Sequence, residues 1–218
     1  MPESLYVALI GDIAGSRELQ DRAETQHRLQ EQIALVNGDL SASGAIAAPL
    51  ALTQGDEIQA LLRAPEAAVD IIVRLSDELF PLRIRHGLGL GGLSTAPGPP
   101  WEVGSLDGPA FHLAREAIES AWEGGHWVVT RGFGEVSDLA ADALFGLMDA
   151  VRSGWTEKQA AYSRDARRMM QKDVAARHGV RPSVVSESLK ASSHAAVIAG
   201  EQAARALLSS HAVQGSGE

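Results

Sequence analysis

Two aspartates carry the first chemical signal in the chain. Asp12 ends the apolar run LYVALIGD, and Asp56 stands in the turn of LTQGDEIQALL. The first stretch reads as a buried central strand and the second as a hairpin turned at Gly55, so both carboxylates belong at strand ends. If those strands pair in an antiparallel sheet, Asp12 and Asp56 come within coordinating distance of one Mg²⁺ or Mn²⁺. Such hard cations take carboxylate oxygens and share their sites with phosphates. The next residues, Ala14, Gly15, Ser16 and Arg17, open a helix whose first amides would face a polyphosphate with the positive end of the helix dipole. Glu57 stands beside Asp56 as a further ligand or base. The bland readings remain open: Gly-Asp at a hairpin tip is a turn far more often than a ligand, and Asp12 could cap the following helix.

Other elements must position these groups. Glu18 to Leu35 has helical spacing at Leu29 and Ile33, Leu50–Leu52 and Ile58–Leu62 flank the hairpin, and PEAAVDIIVRLSDEL places proline at a first helical position. In RIRHGLGLGGL, Ile84, His86, Leu88 and Leu90 share one face and Arg85, Gly87, Gly89 and Gly91 the other. Glycines on one face leave room for something to approach the backbone. Arg85 on that face is a candidate phosphate partner, with a solvated strand charge as the alternative, and His86 reads as a satisfied core histidine. GPAFHLAREAIESAW begins a third helix with His112 one turn from Arg115, HWVVT is a strand, and SDLAADALFGLMDAV is a capped helix. The order β-α-β-β-α-β with an extra helix gives an α+β, ferredoxin-like or palm domain over residues 1–152.

Charge sets residues 153–218 apart. The chain has 19 basic and 28 acidic residues, yet this segment holds nine basic against six acidic and thus carries the opposite sign to the rest. In QKDVAARHGVRPSVVSESLKAS, two short apolar-faced helices meet at Gly179 with Ala175 at their crossing, the spacing of a helix-turn-helix. Arg181, Ser183, Ser186, Glu187 and Lys190 would form the DNA-facing side of its second helix, the alternative being a helical hairpin for protein contact. This all-α domain spans 153–212, ends in an amphipathic helix offered as a dimer contact, and leaves 213–218 as a disordered tail. The sequence has no cysteine, no run of 18 apolar residues and an acidic N-terminal flank without a signal peptide, which together predict a cytoplasmic protein.

GDIAGSR, TQGDEIQAL, RIRHGLGLGGL and GPAFHLARE together resemble, in that order, the metal- and nucleotide-binding blocks of class III nucleotidyl cyclases. The whole chain resembles the SatD family of small bacterial proteins. The cyclase resemblance implies Asp12 and Asp56 as metal aspartates, the Ile13 backbone as a further ligand, and AGSR as the phosphate loop. Two departures limit what it implies. Leu52 stands where cyclases using ATP carry lysine. The third helix has His112 in the asparagine position, Arg115 one residue before the transition-state arginine position, and Glu116 at that position. The expectation is therefore a homodimeric regulator with a metal- and nucleotide-binding palm domain and a DNA-binding domain. One alternative is an active cyclase or nucleotidyl transferase, with Asp12, Asp56, Glu57, His112 and Arg115 as catalytic candidates. The other is a degenerate palm scaffold with a protein-binding helical domain.

Overall fold

The structure, a computed structural model, describes residues 4–14, 22–53, 57–94 and 101–211. Among these residues it is an α+β fold with one five-stranded mixed sheet and eight α-helices. The first half runs β1 (Tyr6–Ile13), α1 (Arg22–Ser43), β2 (Ile46–Leu52), β3 (Ile58–Leu62), α2 (Glu66–Glu78), β4 (Ile84–Gly91), α3 (Pro109–Gly124), β5 (Val128–Arg131) and α4 (Glu135–Arg152). The second half is helical, with α5 (Glu157–Ala166), α6 (Gln171–Arg177), α7 (Pro182–Ala191) and α8 (His194–Ser209).

The strands lie in the order β2-β3-β1-β4-β5, with β1 antiparallel to both neighbours and β5 parallel to β4. A central strand buried on both faces needs a continuous apolar run, and Val7, Ala8, Leu9 and Ile10 are at most 1% exposed. Alternation then divides the core. Val7 and Leu9 join the larger apolar cluster with α1, α2 and α4, while Ala8 and Ile10 pack under α3 on the opposite face. What approaches the glycine face of β4 is α3 itself. A Cβ on Gly87 or Gly89 would stand 2.4 Å from the Ala114 carbonyl oxygen or 2.2 Å from that of Ala110. The crossover β4-α3-β5 is therefore seated at backbone contact distance.

His86 occupies the other face of β4 and is wholly buried, with the backbone of Ile84 and Trp127 as its polar neighbours. It is a core residue, as its alternation predicts.

The second half is tied into the first. Thr156 and Gln159 form a capping box that starts α5. Gly179, at φ +64°, turns the chain between α6 and α7, and Ala175, Val185 and Leu189 close a small core with Tyr162. The amphipathic face of α8 is used within the chain: Ala204 and Leu208 are buried in the larger cluster against α2 and α4. Buried charges reinforce the seam. Asp77 of α2 takes Arg152 Nη2 at 2.7 Å and Arg167 Nε at 2.6 Å, and Glu201 of α8 takes the Arg167 fork at 2.6 and 2.7 Å. Among the described residues no helix is long and apolar enough to cross a membrane. Residues 213–218 lie outside the described residues.

Candidate functional site

The register of β1 on β3 sets two carboxylates at one end of the sheet. Their ladder ends at Gly11↔Ile58, so the next residues along the two strands are Asp12 and Glu57. Asp12 is half-buried and, by strand alternation, on the face of Ala8 and Ile10, beneath α3. Glu57 closes the hairpin, its carbonyl accepting the Thr53 N–H at 2.9 Å. Its carboxylate receives a forked pair from Arg115 of α3, Nη1 to Oε2 at 2.5 Å and Nη2 to Oε1 at 2.9 Å. Gln59 Nε2 adds a bond at 2.6 Å. Burial pushes the Glu57 carboxyl up, but Arg115, Gln59 and Thr53 together outweigh it and hold it below its ordinary 4.5. Arg115 is stabilised in its charged form by the same Glu57 bonds against its own desolvation, with Glu119 and Asp12 contributing through space. Asp12, Glu57 and Arg115 are thus one electrostatic cluster, assembled from β1, β3 and α3.

Beside the cluster a cleft of about 810 Å³ opens over β2 and β3, bounded by the 3-10 turn Val103–Ser105. Glu57, Gln59, Thr53 and Arg115 supply its polar groups, and Pro49, Leu52 and Trp101 its apolar lining. The Trp101 indole N–H is buried and has no acceptor among the described residues. Its ring meets Tyr6 edge-on at 5.9 Å. A concavity that joins apolar lining to a few convergent polar groups has the make-up of a small-molecule site.

The structure brings some of the predicted residues together and sends others elsewhere. Asp12, Glu57 and Arg115 meet. Asp56, Gly15, Ser16 and Arg17 lie outside the described residues. Ala14 donates its N–H to the Arg83 carbonyl at 2.8 Å, so this amide extends the sheet and is not open to a phosphate. The Ile13 side chain is buried on the face opposite Asp12. Arg85 pairs in register with Asp12, but its guanidinium donates to the carbonyls of His126 at 2.7 Å and Ala121 at 3.2 Å and lies 4.9 Å from the Trp122 ring. It clamps the C-terminal end of α3, where free carbonyls favour a cation, and does not stand as a phosphate partner. His112 pairs with Asp107 at 3.0 Å on an exposed surface, apart from the Glu57 bonds. Among the described residues no three of His, Cys, Asp and Glu stand close enough to hold a metal ion.

Gln59 and Trp101 are the site residues that sequence reading missed. Gln59 was within reach, because it alternates with Glu57 on β3 and must share its face. Trp101 comes after a proline-rich stretch of sequence and carries no periodic signal.

In the second half, Arg181, Ser183, Ser186, Glu187 and Lys190 are all exposed along the start and outer side of α7. The surrounding charge is less available than its count suggests. Arg164 and Arg168 pair with Glu78, Arg167 with Asp77 and Glu201, and Arg177 with Asp165. Of the seven basic residues from Arg164 to Lys190, only Lys172, Arg181 and Lys190 are without a carboxylate partner among the described residues.

Comparison with solved structures finds a bacterial light-regulated adenylyl cyclase at 16% identity and a TM-score of 0.43. The match covers 58% of this chain and 42% of the length of that one. Comparison with curated proteins gives no match. The sequence profile of the SatD family matches residues 6–208, nearly the whole chain, and the protein belongs to that family.

Proposed function

We propose that the protein is a two-part regulator: a ferredoxin-like, palm-type domain that binds a metal ion and a nucleotide or related polyphosphate, coupled to a DNA-binding helix-turn-helix. The observation that carries the first half is the joining of Asp12, Glu57 and Arg115 at the polar end of a cleft with an aromatic wall. Asp12 is an oxygen ligand of the type Mg²⁺ and Mn²⁺ take, and Asp56 is its expected companion. When bound, the ion would neutralise phosphate charge. The chain's own groups then divide the remaining work. Arg115 supplies a planar fork for phosphate oxygens once released from Glu57, Trp101 offers a ring face, and Gln59 a side-chain amide. Metal-dependent binding of a nucleoside triphosphate, lost in Asp12→Ala, is the test. Turnover is a second reading, favoured only by the electrostatic contact of Arg115 with Asp12.

Support for the second half comes from the α6–α7 crossing and the exposed outer face of α7. Three unpaired cations allow about three phosphate contacts, so log K for duplex DNA should fall against log salt with a slope of about −2.7. Fluorescence anisotropy with a labelled duplex measures this. Arg181→Ala and Lys190→Ala should each reduce the slope by roughly one. Absence of binding at low salt would leave α6–α7 as a protein contact.

A further inference from the structure

The outer face of α4 has no charged side chain. Val136, Leu139 and Leu147 are 80%, 71% and 68% exposed, and Ala143, Gly146 and Ala150 are exposed between them. At about 100° per residue these six fall within an arc of about 120°. The buried residues Ala141, Phe145 and Met148 occupy the opposite side. Glu135, in the first turn, borders this arc, and the other three carboxylates of the helix are drawn to its flank by partners within the chain. Asp138 accepts the N–H groups of Gly132 and Phe133, Asp142 that of Thr130 at 2.7 Å, and Asp149 pairs with Arg83 at 2.6 Å. A surface helix normally turns charge outward, so a bare apolar arc of this width marks a contact surface.

We infer that this face is a homodimer contact in which α4 of two copies pack antiparallel about a two-fold axis at Ala143. The pattern is its own complement. Leu139 and Leu147 lie four residues to either side of Ala143, and Val136 and Ala150 lie seven. An antiparallel two-fold sets each Leu139 against the other copy's Leu147 and each Val136 against its Ala150, as an isologous interface requires. The small residues sit at the centre. Ala143 is at the axis, and a Cβ added at Gly146 would meet nothing within 4 Å, so the axes can approach to the near end of the usual 8–10 Å. The helix is about 27 Å long, and a pair buries on the order of 1,000 Å² in total, the lower end for a specific complex. The dimer is therefore a reversible one. A lipid surface fits poorly, since the helix flanks are acidic where interfacial helices carry Lys and Arg. The seven residues after His211 offer only Val213 as a large apolar group.

Sedimentation velocity of the full chain from roughly 1 to 200 µM should show monomer converting to dimer, a micromolar equilibrium. Leu147→Lys should weaken it at least about tenfold with the thermal midpoint unchanged, because the side chain is exposed in the monomer. The chain has no cysteine, so Ala143→Cys, at the axis, should form an intermolecular disulfide under mild oxidation. Ala34→Cys, exposed on α1, should not. A monomer at every concentration overturns the inference. So does a dimer that survives Leu147→Lys, or Ala143→Cys cross-linking no faster than Ala34→Cys. None of these outcomes depends on nucleotide or DNA binding.

Discussion

His86 packs against Gly11, where a Cβ would stand 3.2 Å from its Cδ2. Burial pushes the ring down to about 3, against the opposing pull of the Ile84 and Trp127 backbone, so it is neutral in the folded state at neutral pH. Linkage turns this into a pH dependence. Between the unfolded value near 6.5 and the folded value, only the unfolded chain takes up the proton. Stability is therefore full above about pH 6.5 and falls by about 1.4 kcal/mol per pH unit below it. His86→Leu, a swap of similar volume at a ring that is neutral at pH 7, should cost less than about 1.5 kcal/mol there, and should flatten the acid limb by one proton in urea titrations from pH 7 to pH 4. An unchanged limb would mean that the imidazole charges in place. Alternation alone put this residue in the core. The Glu57–Arg115 pair was half legible: both residues were candidates, but their fork forms only because α3 lies over β4 and β1, within Arg115's reach of the residue that precedes β3.

At the scale of elements, the seating of α3 on β4 positions Arg115. With Gly89 at 2.2 Å from the Ala110 carbonyl oxygen by its added Cβ, Gly89→Ala must lift the helix or bend the strand. Overpacking of this kind costs about 1–3 kcal/mol. The displacement should also loosen the fork on Glu57, so both thermal stability and ligand affinity should fall. Ala114→Gly in the same background, which leaves the Ala110 clash in place, should restore neither. Retained affinity in Gly89→Ala would separate the helix position from the site. The glycine face of β4 was plain in the sequence, but what approaches it was not, since an absent side chain names no neighbour. β2 was legible only as Leu50–Leu52, whereas it runs from Ile46. Its register shifts between Ile46 and Ala48 and between Ala48 and Ala51, which breaks the period of two on which a strand reading depends. The side-chain amide of Asn37 bonds both backbone groups of Leu50 at 2.8 Å each, finishing an edge that no periodicity marks.

At the scale of the whole molecule, the change of charge near Arg152 is real in sequence and is bridged in structure. Asp77 joins Arg152 to Arg167, and α8 returns to bury Ala204 and Leu208 with the sheet's own core. Three of the seven basic residues that suggested a nucleic-acid partner, Arg164, Arg167 and Arg168, instead hold the two halves together. A count of charges cannot distinguish these uses; only the partners can. Thermal unfolding reports any ligand that prefers the folded state, whatever its products. The decisive measurement is the unfolding midpoint of wild type and Asp12→Ala against ATP, GTP, CTP and UTP, each with and without Mn²⁺. At about a hundredfold excess over Kd, binding adds about 2.7 kcal/mol, or roughly 5–10 °C for a chain of this length. A shift of that size with one nucleotide, present only with Mn²⁺ and absent in Asp12→Ala, is the predicted result. No shift with any nucleotide, or the same shift in Asp12→Ala, would contradict it.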